Sequence, residues 1–297
     1  MLMLPLTSHV LSGALERLAA RPIVVATHPR SGTHLLIDSL RRNFPACSIR
    51  KWPLERVDRL YLTAEAMMQR SRRMGSVTAL RTLVRARRPV VKTHTLPGFE
   101  PWYVPAAHEP LSPEFRDWFS RRGCFVHMRR DGRAAVLSFY TLLRASGLLG
   151  TQTFSSFLRS RGPGSSAENA ARGWAEHVRS WMERSEVLSL SFEELIREPR
   201  MSLERVAEHA GLRPDWSEPL IPPAVRTGFE YRMARLRGGR PESSAILPPH
   251  GISESRKWHQ VFNYEDCVFF ERETAGLLVE LGYESSCDWP ERIRNMT

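Results

Sequence analysis

Three short patterns in this sequence combine residues that can hold phosphate with one that can move a proton. In the first, Thr27-His28-Pro29-Arg30-Ser31-Gly32-Thr33-His34 follows the apolar run Ile23-Val24-Val25-Ala26 and leads into the helix-like Leu35-Leu36-Ile37-Asp38-Ser39-Leu40. A strand that passes through such a loop into a helix start points backbone N–H groups, with the positive end of the helix dipole, at whatever lies in front. That arrangement can cradle a phosphate, with Gly32 permitting close approach and Arg30 adding a charge-assisted contact. A Ser-Gly-Thr turn after a strand is equally a common helix start, so the loop alone does not decide. It is not a Walker A motif: GxxxxGK(S/T) is absent and no lysine occurs before Lys51, which weakens a nucleotide-kinase reading.

The second pattern is Arg88-Pro89-Val90-Val91-Lys92-Thr93-His94-Thr95-Leu96-Pro97. Period-two alternation puts Lys92 and His94 on the same side at the end of a strand, where a parallel sheet presents ligands. An imidazole titrates close to neutrality, so His94 could take a proton from a hydroxyl; it could also be a capping or core histidine. In the third pattern, Phe125-Val126-His127-Met128 enters Arg129-Arg130-Asp131-Gly132-Arg133 and then a helical stretch from Ala134 to Tyr140. Arg130 and the helical Ser138 could grip a second phosphate. A helix with so basic an N-terminus is disfavoured by its own dipole unless an anion compensates.

Together these motifs resemble those of the sulfotransferases that use 3′-phosphoadenosine 5′-phosphosulfate (PAPS). PRSGTHLL is similar to that family's PKSGTTW loop, which holds the 5′-phosphosulfate, with Arg30 where the family often has lysine. KTH followed by Pro97 resembles KTHLP, whose histidine is the base and whose lysine assists at the sulfate. RRDGRAAVLSFY resembles RNPKDVAVSYY, whose arginine and serine bind the 3′-phosphate. Weaker similarities continue along the chain. Thr153 to Leu158 and Gly173 to Trp181 resemble packing segments of the family, and Trp174, His177 and Trp181 share one helical face that reads as core. Val187 to Leu195 resembles a strand and turn whose aromatic lies near the adenine; Thr227 and Phe229 fit a TSF-type adenine contact; His250 to Phe262 resembles RKGxxGDWKNxF.

The resemblance implies an enzyme, with PAPS as co-substrate, adenosine 3′,5′-bisphosphate (PAP) as product and no metal. It implies catalytic roles for His94, Lys92 and Arg30, and donor binding by Arg30, Ser31, Gly32, Thr33, His34, Arg130, Ser138, Phe192, Thr227, Phe229, Gly251, Arg256 and Lys257. The chain also departs from the pattern. Leu35 stands where cytosolic members have tryptophan, Thr95 is an extra residue before Leu96-Pro97, and Phe192 lacks a hydroxyl. Pro249 and His250 replace a basic pair, so Arg256 or Lys257 is expected to supply that charge. Arg129 and Arg133 are expected to serve the charge environment rather than specific contacts.

The elements that must carry these motifs are short. Pro22 to Ala26, Pro89 to Lys92, Cys124 to Met128 and Glu186 to Leu190 read as buried strands, and helical periodicity follows in Leu35 to Asn43, Ala134 to Leu143 and Phe192 to Arg197. This β-then-α alternation predicts an α/β, P-loop-like fold with a central parallel sheet flanked by helices. One domain over residues 1–297 is expected, with a basic helical insertion at about 50–88, helical from Leu60 to Arg73, and loop-rich insertions at about 144–168 and 235–256. The apolar spacing from Cys267 to Leu281 predicts a closing helix.

Composition narrows the partners. The 42% hydrophobic content and mean hydropathy of -0.35 fit a globule, and the net charge of +11 calls for an anionic partner. Only Lys51, Lys92 and Lys257 among 43 basic residues are lysine, a bias typical of a GC-rich, bacterial genome. The first twenty residues lack the basic start of a signal peptide, and no run is apolar enough to span a membrane, so a cytoplasmic location is expected. Cys47, Cys124, Cys267 and Cys287 lack metal-ligand spacing and read as reduced, structural thiols. The acceptor is expected to be a small metabolite or natural product, in a pocket to which Trp52, Trp102, Tyr103, Trp118 or Phe139 could contribute. A homodimer is compatible with the sequence. The rival readings are a P-loop phosphotransferase using ATP and a non-catalytic nucleic-acid-binding protein using Arg50 to Arg88; the latter is disfavoured because no nucleic-acid-binding motif accompanies the charge.

Overall fold

A computed structural model of the chain describes residues 20–47, 62–64, 83–100, 102, 113–162, 165–221 and 258–294. Its centre is a four-stranded sheet in the order β2-β1-β3-β4, made of β1 (Ile23–Thr27), β2 (Val90–Thr93), β3 (Cys124–Arg129) and β4 (Leu188–Ser191). All pairings are parallel, with Ile23 opposite Val90 on one side and Cys124 on the other, and Val126 opposite Leu188. β1 is buried at every position, as a central parallel strand covered on both faces must be, and its β-branched Ile, Val and Val suit that environment.

Helices cover both faces. On one, α1 (Thr33–Asn43) places Leu36, Ile37 and Leu40 against Ile23, Val25, Val126 and Leu190, joined by Leu203 and Val206 of α7 (Pro199–Ala210). On the other, Val24 and Val91 pack with Trp118 and Phe119 of α2 (Pro113–Arg122). A separate helical core joins α3 (Gly132–Ala145), α4 (Phe154–Arg159), α5 (Ala170–Met182) and α8 (Tyr264–Thr274) through Phe139, Phe157, Trp174 and Phe270. The short α6 (Phe192–Arg197) follows β4 directly. Ser191 starts it with a reciprocal capping box: its side chain accepts from the Glu194 N–H while the Glu194 carboxylate accepts from the Ser191 N–H.

From β1 the chain moves to a neighbour on one side and then, by way of β2, to β3 on the other. The strand order therefore reverses at β1, and the C-terminal edge there is where open α/β sheets take ligands. Thr27, Thr93 and Arg129 end their strands along this edge.

The four predicted strands and the three helices predicted to follow them, α1, α3 and α6, stand within about two residues of their observed bounds, whereas α2 was not predicted. Three expectations are corrected. Residues 62–64 are not helical: Thr63 bridges Lys92, with the Lys92 N–H donating to Leu62 O and the Ala64 N–H to Lys92 O, because the open edge of β2 offers these backbone groups. The rest of Leu60–Arg73 lies outside the described residues. The closing helix is broken, since Ala275 (φ 47) and Gly276 (φ 75) are both left-handed and end α8. The short α9 (Leu277–Glu280) then turns Leu277 and Leu278 inward. Finally, the stretch 144–168 holds α4, capped by Thr153, whose hydroxyl accepts from the Ser156 N–H. Among the cysteines, Cys47, Cys124 and Cys267 are buried free thiols and Cys287 is exposed, so the structural reading holds for three of the four.

Candidate functional site

The loop from β1 to α1 is wound tightly. Arg30 (φ 70) and Gly32 (φ 96) both adopt the left-handed region, which costs a non-glycine residue about 1–2 kcal/mol, so Arg30 is held there by its surroundings. Gly32 is the N-cap of α1 and offers no side-chain cap, and no acidic residue occupies the first turn. The helix thus presents its positive end without an internal anion. A Cβ on Gly32 would lie 2.5 Å from Cδ2 of Phe192, the first residue of α6, so the loop backbone is seated on that ring.

The second and third motifs close around this loop. Arg30 Nε donates to Ser138 Oγ at 3.0 Å, from the loop to the middle of α3. Arg130 Nη1 donates to the Arg30 carbonyl at 3.0 Å, and the Arg130 guanidinium lies 4.6 Å over the Phe192 ring. Arg30, Gly32, Arg130, Ser138 and Phe192, spread over 163 positions of sequence, thus form one continuous cluster. On the β2 side, Lys92 Nζ sits 3.0 Å from His34 Nε2. An ammonium can only donate, so Nε2 is the acceptor and the His34 ring is neutral. Burial, then the neighbouring Lys92, His94 and Arg30 charges, hold its pKa well below the usual histidine range. The acceptors in these three contacts, a hydroxyl, a backbone carbonyl and a neutral imidazole, are uncharged and help to orient the cations.

His94 ends the strand pattern beside them. Its Nδ1 lies 2.8 Å from the Thr27 carbonyl and 3.1 Å from Thr27 Oγ1, which in turn bonds Thr33 Oγ1 at 2.6 Å. A carbonyl only accepts, so Nδ1 carries the proton and the Nε2 lone pair is left for chemistry. Burial and the Lys92 charge lower the His94 pKa to about 4, with the Thr27 bond opposing them, so the ring is an unprotonated acceptor at neutral pH. Thr27 was not singled out in the sequence; only the turn from β1 into the loop signals it, and it orients His94 and ties it to α1.

Behind the loop lies a second group the sequence patterns did not reveal. His28 packs edge-on to Trp102, with ring centroids 4.9 Å apart; His177 lies 6.0 Å from His28 and 5.7 Å from His127. All three histidines are buried, and burial lowers His28 and His127 to about 3 and His177 well below the usual range. Trp174, His177 and Trp181 face the core, as the helical spacing of α5 required. Trp102, Trp118 and Phe139 are likewise core residues, while Trp52 and Tyr103 lie outside the described residues.

The expectation for Arg133 is corrected. Its guanidinium is buried, bonds both oxygens of Asp131 and the Glu284 carboxylate, and lies over the rings of Trp258 (3.9 Å) and Trp289 (4.6 Å). It is a specific joint between the start of α3 and the C-terminal segment, whereas Arg129 contacts Ser189 Oγ. Thr227, Phe229, Gly251, Arg256 and Lys257 lie outside the described residues. No group of metal-ligating residues occurs among the described residues, and none of their helices is long and apolar enough to cross a membrane.

Residues 122–218, from the end of α2 through α7, match the model of the sulfotransferase family. The matched segment contains Arg130, Ser138 and Phe192. Solved structures extend the likeness in fold to nearly the whole chain. Mouse sulfotransferase SULT7A1 complexed with PAP is 18% identical, with 97% of this chain and 94% of that chain covered and a TM-score of 0.51. Retinol dehydratase in complex with androsterone and the inactive cofactor PAP is 16% identical, with 90% and 84% covered and a TM-score of 0.50. No curated protein sequence matches the chain. The chain therefore has the sulfotransferase fold, and residues 122–218 match that family's model.

Proposed function

We propose that the protein is a sulfotransferase that moves a sulfuryl group from PAPS to a hydroxyl or amine of a small-molecule acceptor, with His94 as the general base. The observation that carries this reading is the Nδ1–H tautomer of His94, set by the Thr27 carbonyl, on a ring that feels the Lys92 charge and is tied through Thr27 to the uncapped start of α1. The residues fit the donor. Ser31 is fully buried and its hydroxyl has no hydrogen-bond partner among the described residues, as expected of a donor reserved for an oxyanion. Gly32 lets the loop backbone seat against Phe192 in the left-handed turn that ends in the uncapped N–H groups of α1.

PAPS supplies the activated sulfuryl group. The loop from Arg30 to His34 would hold its 5′-phosphosulfate with backbone N–H groups and the Ser31 hydroxyl. Arg130 and Ser138 would hold the 3′-phosphate, with Phe192 beneath the adenosine side of the site. His94 would take the acceptor's proton at Nε2 as the acceptor attacks sulfur. Lys92 and Arg30 would offset the negative charge that grows on the transferring group and the leaving phosphate, a role in which preoriented cations are worth several kcal/mol. His34, as a neutral acceptor, helps to direct the Lys92 ammonium. Thr227, Phe229, Gly251, Arg256 and Lys257 complete the proposed donor site. The chain is read as one domain acting in the cytoplasm.

The test is His94→Ala. We expect turnover of PAPS with the best acceptor from a screen of phenols, alcohols and amines to fall by about 10²- to 10⁴-fold, with PAP binding retained. Near wild-type turnover in this variant would remove His94 as the base.

A further inference from the structure

We propose that Trp181 of α5 is a positioning residue for His94, acting through the backbone of Thr95. The Trp181 indole Nε1–H donates to the Thr95 carbonyl at 3.0 Å, within the buried interior. Thr95 immediately follows His94 and is tied back across it: the Thr93 and Thr95 hydroxyls are 2.7 Å apart, and the Thr95 N–H donates to Thr93 Oγ1 at 3.2 Å. The residue carrying the imidazole is therefore pinned on three sides, by Thr27 through its ring, by Thr93 within its own turn, and by Trp181 from a helix 86 residues further along the chain.

Trp181 is itself immobile. It is stacked on His127 with an interplanar angle of 18°, and lies 5.6 Å from Phe125. Both belong to β3, so the indole transmits the position of the central sheet to the turn after β2. The carbonyl of Thr95 cannot rotate to follow another donor while both of its turn hydroxyl contacts persist. Loss of the indole N–H would leave the Thr95 carbonyl with the buried His177 ring as its neighbouring donor, and the turn next to the base would shift toward it. A displacement of about 1 Å at a reacting group can cost about a hundredfold in rate.

The inference rests on His94 being the base for its catalytic consequence, but its geometric content does not. Trp181→Phe keeps an aromatic ring and deletes the donor. Trp174→Phe is the control: Trp174 is fully buried on the same helix, and its indole N–H has no hydrogen-bond partner among the described residues. Histidine-selective ¹⁵N NMR reads the tautomer directly, with His94→Ala assigning the resonance. Wild type and Trp174→Phe should show His94 as a single Nδ1–H tautomer. Trp181→Phe should show mixed tautomers, together with a fall in kcat of about tenfold or more at unchanged PAP affinity. A His94 signal and kcat in Trp181→Phe that match those of Trp174→Phe would overturn the proposal. Should Trp181→Phe fail to fold, β-(3-benzothienyl)alanine incorporated in place of Trp181, which replaces the indole N–H by sulfur at nearly constant shape, decides by the same two readouts. Perturbed His94 tautomers alongside full turnover in His94→Ala would uphold the positioning and overturn the base assignment alone.

Discussion

His94 shows how a residue's surroundings decide what its type leaves open. The sequence placed it after a strand beside Lys92 and matched it to a known motif, but a capping histidine would look the same. The Thr27 carbonyl at Nδ1 sets the tautomer that the proposed base requires; it belongs to another strand and could not be inferred from spacing. Because burial and Lys92 lower its pKa to about 4, His94 is neutral, and able to accept a proton, at any pH above that value. The account predicts that kcat/KM for PAPS stays level as pH falls from neutrality through about 6.5, the ordinary histidine value, and drops only on approach to about 4. A pH series of initial rates at limiting PAPS and saturating acceptor, corrected for the ionisation of the PAPS 3′-phosphate at about 6, checks this; a remaining acid limb centred near 6.5 would place the essential group elsewhere. Arg133 was misjudged at this scale for a related reason. Its partners Glu284, Trp258 and Trp289 lie more than a hundred residues away, and an RRDGR string looks the same whether its last arginine is solvated or buried.

Strands were legible because parallel, doubly covered strands must be short runs of apolar and β-branched residues, as β1 (IVVAT) and most of β2 (VVKT) are, whereas the edge strand β4 (LSLS) alternates leucine with serine. Helices that start at a motif were legible from the motif. The break at Ala275 was not, since an alanine in a left-handed conformation carries no local signal and is set by the packing of Leu277 and Leu278. Pairing of Leu62 to Ala64 with β2 was hidden by the arginine-rich context around it. Close contacts between elements are equally invisible in sequence, and Gly132 is one. A Cβ there would lie 2.5 Å from the Trp174 ring, so the start of α3 and the middle of α5 meet only because this position is glycine. Gly132→Ala should therefore push α5 from α3 and destabilise the protein by about 1–3 kcal/mol, read as a lowered midpoint in urea unfolding. An unchanged midpoint would mean that the Trp174 ring moves aside freely.

Across the whole molecule, the sheet edge and the helical core meet at the buried rings of His28, His127 and His177. Each is held neutral by burial, with a folded-state pKa far below the value of about 6.5 expected in the unfolded chain. As pH falls below about 6.5 the unfolded state binds protons that the folded state refuses, so stability declines by up to about 1.4 kcal/mol per pH unit for each such histidine. The thermal midpoint should fall clearly between about pH 7.5 and about pH 5.5, before the carboxylates titrate; a flat midpoint over that interval would show that the rings are hydrated. The same architecture brings motifs from three strand ends to one edge, and the central claim is that this edge binds a nucleotide carrying phosphate at both its 3′ and 5′ positions. Calorimetric titration with PAP, with AMP and ATP as competitors and Arg130→Ala as the control, tests it most directly. The account predicts that PAP binds far more tightly than AMP, and that Arg130→Ala removes that difference by deleting a charged contact worth about 1.5–3 kcal/mol. Equal affinity for PAP and AMP, or preference for ATP with magnesium, would contradict it.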